Sequence, residues 1–368
     1  MARRKQSKRG LSQPVVIHPA PVVPASASSS RSKKSGLGPP FLAIALGLAA
    51  GVATVYAMRA PVKPVPPAGY LSPSAFTSAI PTPRPSPEKI AAFHQPATLD
   101  ELLAIPPADL DKVDVARMDL LCAQGLPGSE DIDIPRCLAQ LDEMAATIKH
   151  NIDLHYGAYL HDPARSHTMA EYEMMMIINV LHKGYGIHYD HDSAVAEYGV
   201  DPAVDKVTTD IPMLPLGPTF FAKSDLFFIN GLLGPKRAGT CSSLPVLVAA
   251  IAQRLGYPVC LVNTFRHTFV RWDDGRERFN IETTVLDGLQ VVSDYDYRQW
   301  PRPMPTGMLA TEGYLQPLTP AQTLACFLYT RCGCLLENGH LDQAKQLIPL
   351  CSALVPTSVK YSQLPSTQ

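Results

Sequence analysis

No acidic residue occurs among the first 40 positions of this 368-residue chain, although Arg3, Arg4, Lys5, Lys8, Arg9, Arg31, Lys33 and Lys34 all do. The whole carries a net charge of -1, and those eight cations leave -9 for the remainder. A folded part so charged repels phosphate, which argues against a nucleic-acid enzyme. The eight cysteines lack zinc spacing, because Cys332-x-Cys334 has no matching second pair. Charge is missing altogether from 41–58, FLAIALGLAAGVATVYAM, a run just long enough to cross a hydrocarbon core as a helix. Apolar periodicity is missing from 59–97, where nine prolines lie between Pro61 and Pro87. That stretch reads as an extended, semi-rigid spacer on which no fold should be forced.

What is present then orders itself along the chain. Residues 1–40 form a basic tail and 41–58 a single span, and the positive-inside rule leaves the N-terminus in the cytoplasm and exports the rest. The expectation is a single-pass protein of the inner, cytoplasmic membrane with its main domain outside. A cleaved signal peptide ending at Val55-Tyr56-Ala57 is the other reading, but forty residues are a long lead for one. Gly47 and Gly51 have the spacing of a helix-dimerisation face, which a Gly/Ala-rich span also produces by chance.

Order begins near Thr98, where Thr98-x-x-Glu101 has the form of a capping box. Leu138, Leu141, Met144, Ala145, Ile148 and Ile152 recur with helical period, as do Met174, Ile177, Ile178 and Leu181 up to Gly184. The run Met174-Met175-Met176 is accordingly core packing. A third helix is predicted over 244–255, from Leu244 to Leu255, stopping at Gly256, with Pro245 tolerable only in its first turn. Strands are predicted over 258–264, 267–273 and 276–283. Thr319-Pro320 opens a helix closed by Asn338-Gly339, and Leu341–Leu354 forms its antiparallel partner. Ala325, Leu328, Leu335, Gly339 and Ala344 resemble the small and large positions of one tetratricopeptide repeat. A lone repeat cannot form a solenoid, so this hairpin is expected to pack on the main domain as a cap or docking patch. The divisions are an N-terminal helical part at 98–200, a core at 201–312, the hairpin at 313–358 and a tail at 359–368.

The chemistry centres on Cys241, in Gly239-Thr240-Cys241-Ser242-Ser243-Leu244-Pro245, just ahead of a helix N-terminus. A cysteine nucleophile works as the thiolate, and a helix N-terminus or a neighbouring imidazolium shifts its pKa from about 8.5. Asp274-Gly275 signals a two-residue hairpin turn. With Asp273 opposite Arg276, His267 falls opposite Glu282 on one face, while Thr268, Val270 and Trp272 share the other with Phe279 and Ile281. This register sets Arg271 against Arg278, a like-charge contact that argues for fraying or a longer loop.

The segments GTCSSLP at 239–245, RHTFVRW at 266–272 and FNIETT at 279–284 resemble the microbial transglutaminase-like superfamily, in the order Cys, His, acid. Residues 114–128, the stretch Leu181 to Tyr189, and Tyr297-Arg298-Gln299-Trp300-Pro301 look like a membrane-anchored bacterial branch with a C-terminal tetratricopeptide-like part. The resemblance covers most of the chain beyond the spacer. It implies an α+β, papain-like fold in which the Cys-bearing helix packs on a small antiparallel sheet. It further implies Cys241 as nucleophile, His267 as base and then acid, and Glu282 as the orienting acid, with no cofactor or metal. Many members have Asp where this chain has Glu282. Asn280, on the same face one step along, is the competing orienting residue.

The expected reaction is thiol acyl transfer on an amide of a peptide or protein in the cell envelope, hydrolysis ahead of cross-linking. The alternative is a non-catalytic envelope scaffold in which the C-terminal hairpin binds a protein partner. Cys122, Cys137, Cys260, Cys326, Cys332, Cys334 and Cys351 read as small core residues, with one disulfide across the terminal hairpin permitted by an exported location. His188, Asp190, His191 and Asp192 tempt a metal reading, but no second ligand cluster accompanies them and a polar loop is the plainer account.

Overall fold

The fold comes from a computed structural model that describes residues 87–162, 167–190, 192, 220–285, 288–300 and 303–365. The basic tail, the apolar run at 41–58 and residues 59–86 of the spacer lie outside them, and the described end of the spacer carries a short helix, Pro87–Ala92, where the sequence leads one to expect no fold. Among the described residues no helix is long and apolar enough to cross a membrane.

The described residues are α+β, mostly helical with two small sheets. Order near Thr98 takes a slightly different form from a capping box. Thr98 Oγ1 accepts from the Glu101 N–H at 3.2 Å, but the Glu101 carboxylate reaches back to the N–H of Ala97. Helices α1 (Val115–Ala123), α2 (Ile134–His161) and α3 (Met169–Asn179) follow. The predicted stripe of α2 is buried from Leu138 to Ile152, after which Leu154 and Leu160 face solvent. Thr168 and Glu171 cap α3 reciprocally, and a π turn, Val180–Gly184, ends it where the periodicity stops. Met174 is fully buried, with Met175 and Met176 packed beside it.

Strand β1 (His188–Tyr189) runs parallel to β2 (Ala238–Gly239), and α4 (Ile229–Leu233) lies between them in sequence. Helix α5 (Leu244–Arg254) occupies the centre, packed by α1, α2, α3, α4 and the larger sheet. Leu244 through Ala252 are all buried, as expected of a helix apolar on every side. Each large aliphatic side chain so buried contributes about 1.5–3 kcal/mol. Pro245 sits in the first turn, and Gly256, at φ 76°, ends the helix as predicted.

Strands β3 (Val259–Thr264), β4 (His267–Asp273) and β5 (Arg278–Ile281) form an antiparallel sheet in that order. Thr264 pairs with His267 across the two-residue turn Phe265-Arg266. The β4–β5 register differs from the predicted one. Asp273 pairs with Arg278 and Arg271 with Asn280, so the loop spans 274–277 rather than two residues. Asp274 causes the difference, because its Oδ1 accepts from both the Arg276 and Glu277 N–H groups at 2.7 Å. The shift removes the Arg271–Arg278 conflict and sets Arg278 Nε 3.6 Å from Asp273 Oδ2. A slip of two residues keeps every side chain on its predicted face, although Glu282 now stands past the strand end, diagonal to His267 rather than opposite.

The sheet has two packed faces. Val259, Leu261, Val270, Trp272 and Ile281 join the main core with α5. Cys260, Val262 and Phe269 form a second cluster with Leu315 and with Tyr297 of α6 (Asp294–Gln299). The predicted terminal hairpin is α7 (Pro320–Glu337) and α8 (Leu341–Leu354), turning at Gly339. Its Ala325, Leu328, Leu335 and Ala344 lie in the main core, and Arg331 donates to the carbonyls of Cys122 and Gln124 at 2.8 and 2.9 Å. The hairpin thus packs on the same core as the N-terminal helices.

Candidate active site

Cys241 lies in a turn of three residues, 241–243, that leads directly into α5. Two hydroxyls shape that turn. Thr240 Oγ1 accepts from the Ser242 N–H at 3.3 Å, and Ser243 Oγ accepts from the Thr240 N–H at 3.0 Å. Both hydroxyls also donate to the Leu226 carbonyl, at 3.1 and 2.8 Å, tying the turn to the segment ahead of α4. A Cβ at Gly239 would collide with Ser243 Oγ and come 2.7 Å from Leu232 Cδ2, so any larger residue there displaces a hydroxyl that shapes the turn. Asp119 of α1 holds α4 in turn by accepting the Ile229 N–H at 2.9 Å, and burial raises its carboxyl to about 8.

His267 opens β4, carried there by the tight turn in which Arg266 takes φ 56°. The ring is buried, at 5% residue exposure, and Cys241 is 6% exposed. His267 Nε2 lies 2.7 Å from Glu282 Oε2. Nδ1 is then the nitrogen left for the Cys241 side chain: no hydrogen-bond partner meets it among the described residues, while Cys241 lies near enough to act on the charge of the ring. Burial works against an imidazolium at this position, but the Glu282 charge, the Cys241 side chain beside the ring and the Glu282 hydrogen bond outweigh it. The pKa of His267 consequently rises from 6.5 to about 10.

Glu282 shows the converse. Burial pushes its carboxyl up, yet the His267 charge and hydrogen bonds from His267 and Thr284 bring it from 4.5 to about 2. Its four accepted hydrogen bonds divide evenly between the oxygens. Oε2 takes His267 and the Tyr297 hydroxyl, at 2.7 and 2.9 Å, while Oε1 takes the Thr284 N–H and Oγ1, at 2.9 and 2.7 Å. Both shifts favour an imidazolium beside a carboxylate, the ring buried and Glu282 partly so.

Of the two candidate orienting residues, Glu282 contacts His267 and Asn280 does not. Asn280 Oδ1 accepts from Arg271 Nε at 2.6 Å, and its Nδ2 donates to the Val292 carbonyl and to Asp294 Oδ1 at 2.9 and 2.8 Å. It serves the fully buried Arg271, which also donates to the Leu315 carbonyl and to Asp294. Residue-by-residue reasoning assigned no part to Tyr297, Trp300 or Thr284. Tyr297 reaches Glu282, and Trp300 stands edge-on to the His267 ring at a centroid distance of 5.1 Å. The i, i+3 spacing of Asp294 and Tyr297 is the one sequence signal that sets the two on one face of α6, and Trp300 follows directly after the helix ends.

Burial raises Cys332 to about 11 and Cys334 and Cys351 to about 12, and pushes Cys122 well above its ordinary value. No disulfide joins any of the eight cysteines, so the bridge considered for the terminal hairpin is not formed. His188 and Asp190 lie on or beside β1 and His191 falls outside the described residues, among which no three metal-ligating side chains converge. No family model, curated protein or solved structure matches the chain.

Proposed function

We propose that this protein is a thiol acyl-transfer enzyme of transglutaminase-like, papain-type construction, hydrolysing an amide bond in a peptide or protein of the cell envelope. Supporting this above all is the His267–Glu282 contact at 2.7 Å, with the second imidazole nitrogen left for Cys241 at the mouth of a helix. The Cys241 thiolate attacks the carbonyl carbon, and backbone N–H groups at the start of α5 take the oxyanion. The His267 imidazolium gives its proton to the departing amine as the C–N bond breaks, leaving a thioester. Imidazole then removes a proton from water, hydroxide adds to the thioester carbon, and the C–S bond breaks to release a carboxylic acid and restore the thiolate. Glu282 keeps the ring in one orientation and stabilises its charged form throughout. The reaction needs no cofactor. In this reading the run 41–58 anchors the domain on the outer side of the cytoplasmic membrane.

A second reading, a scaffold that keeps the fold without the reaction, draws support from the low exposure of Cys241 and His267. Competitive labelling separates the two. An enzyme's Cys241 reacts with iodoacetamide at pH 6–7 at least about tenfold faster than Cys122, Cys332, Cys334 or Cys351, with a thiolate-type pH profile. Uniform slow labelling of all eight thiols supports the scaffold and defeats the enzyme.

A further inference from the structure

Building on the enzyme reading, we propose that Tyr297 is a positioning residue of the site, holding the Glu282 carboxylate in the one orientation that meets His267 Nε2. A glutamate has one more rotatable bond than an aspartate, so aiming it takes more support. Thr284 grips only Oε1, which leaves the carboxylate free to pivot about that oxygen. The phenol removes the freedom by donating to Oε2, the oxygen His267 uses.

Tyr297 is itself fixed at both ends. Its ring stacks on Phe269 with centroids 4.0 Å apart and planes within 6°, and its carbonyl accepts from Thr264 Oγ1 at 3.2 Å. One turn earlier, Asp294 ties α6 to the sheet through Arg271 Nη2 at 2.5 Å and Asn280 Nδ2 at 2.8 Å. Burial and the Glu282 charge push the phenol well above its ordinary pKa, so it remains a donor throughout the working range. The buried Arg271 thereby gains a purpose: through Asp294 it sets where Tyr297 stands.

A double-mutant cycle on Cys241 labelling tests this. Tyr297→Phe keeps the stacked ring and deletes only the hydroxyl. It is expected to slow iodoacetamide labelling of Cys241 about 3- to 10-fold and to move the acid edge of the labelling profile to higher pH. In a Glu282→Ala background the same change is expected to do nothing further. Labelling at the unaltered rate, or equal slowing in both backgrounds, overturns the proposal and leaves Tyr297 as packing alone. Cys241 labelling no faster than the other thiols in the unaltered protein is a different result, which ends the enzyme reading and this proposal together. Should Tyr297→Phe not fold, 3-fluorotyrosine at position 297 supplies a stronger donor of nearly the same shape. It moves the acid edge to lower pH, and an unmoved edge overturns the proposal.

Discussion

The two faces of the three-stranded sheet are made from the same short strands yet obey different rules. On one, Val259, Leu261, Val270, Trp272 and Ile281 meet α5 and need nothing beyond shape and apolar area. On the other, His267, Arg271, Asn280 and Glu282 are buried or nearly so and are tied to one another and to Asp294 and Tyr297 of α6, with His267 Nδ1 the one nitrogen of the ring left over. Burying charge is costly unless it is paired and hydrogen-bonded, so the polar face is assembled as a network. The apolar face tolerates piecemeal change.

The largest break of that comparison is expected from Glu282→Ala. It strands a buried imidazole and costs about 3–5 kcal/mol, read as a lower urea midpoint, while returning the His267 titration toward its ordinary range. Next comes pH itself. His267, raised from 6.5 to about 10, contributes stability that is complete below 6.5 and is lost as pH rises through about 10. Glu282, lowered from 4.5 to about 2, contributes stability complete above 4.5 and lost as pH falls through about 2. Their joint contribution is therefore flat from pH 4.5 to 6.5 and declines on either side. Denaturant melts across pH 5–10 should show the alkaline decline, and it should vanish in Glu282→Ala. The smallest effect belongs to the apolar face. Ile281→Val should cost about 0.5–1.5 kcal/mol and leave the His267 titration unmoved. A shifted titration there would mean that the faces are coupled through β5 rather than independent.

What was legible in the sequence follows the same division. Helix α5 could be read because Leu244, Leu247, Val248, Ile251 and Leu255 repeat with helical period between Pro245 and Gly256. The bounds of β4 and of α8, and the faces of the sheet, come from patterns equally local. The β4–β5 register failed because Asp274-Gly275 favours a tight turn until the Asp274 carboxylate captures two N–H groups farther on. The clash of Arg271 with Arg278 was the available warning, and the structure resolves it by lengthening the loop. Cys241, His267 and Glu282 stand out through residue type and context. Tyr297 does not, since its value lies in reaching a carboxylate fifteen residues earlier, a contact that only the folding of α6 against the sheet creates.

The account stands on the charge of one buried ring. A ¹⁵N NMR titration of His267 in histidine-labelled protein measures it without reference to any substrate. The expected result is an imidazolium that persists through pH 8 and titrates near 10, with Nε2 bonded to Glu282. A ring that loses its proton near pH 6.5 would contradict the buried ion pair and the chemistry built on it.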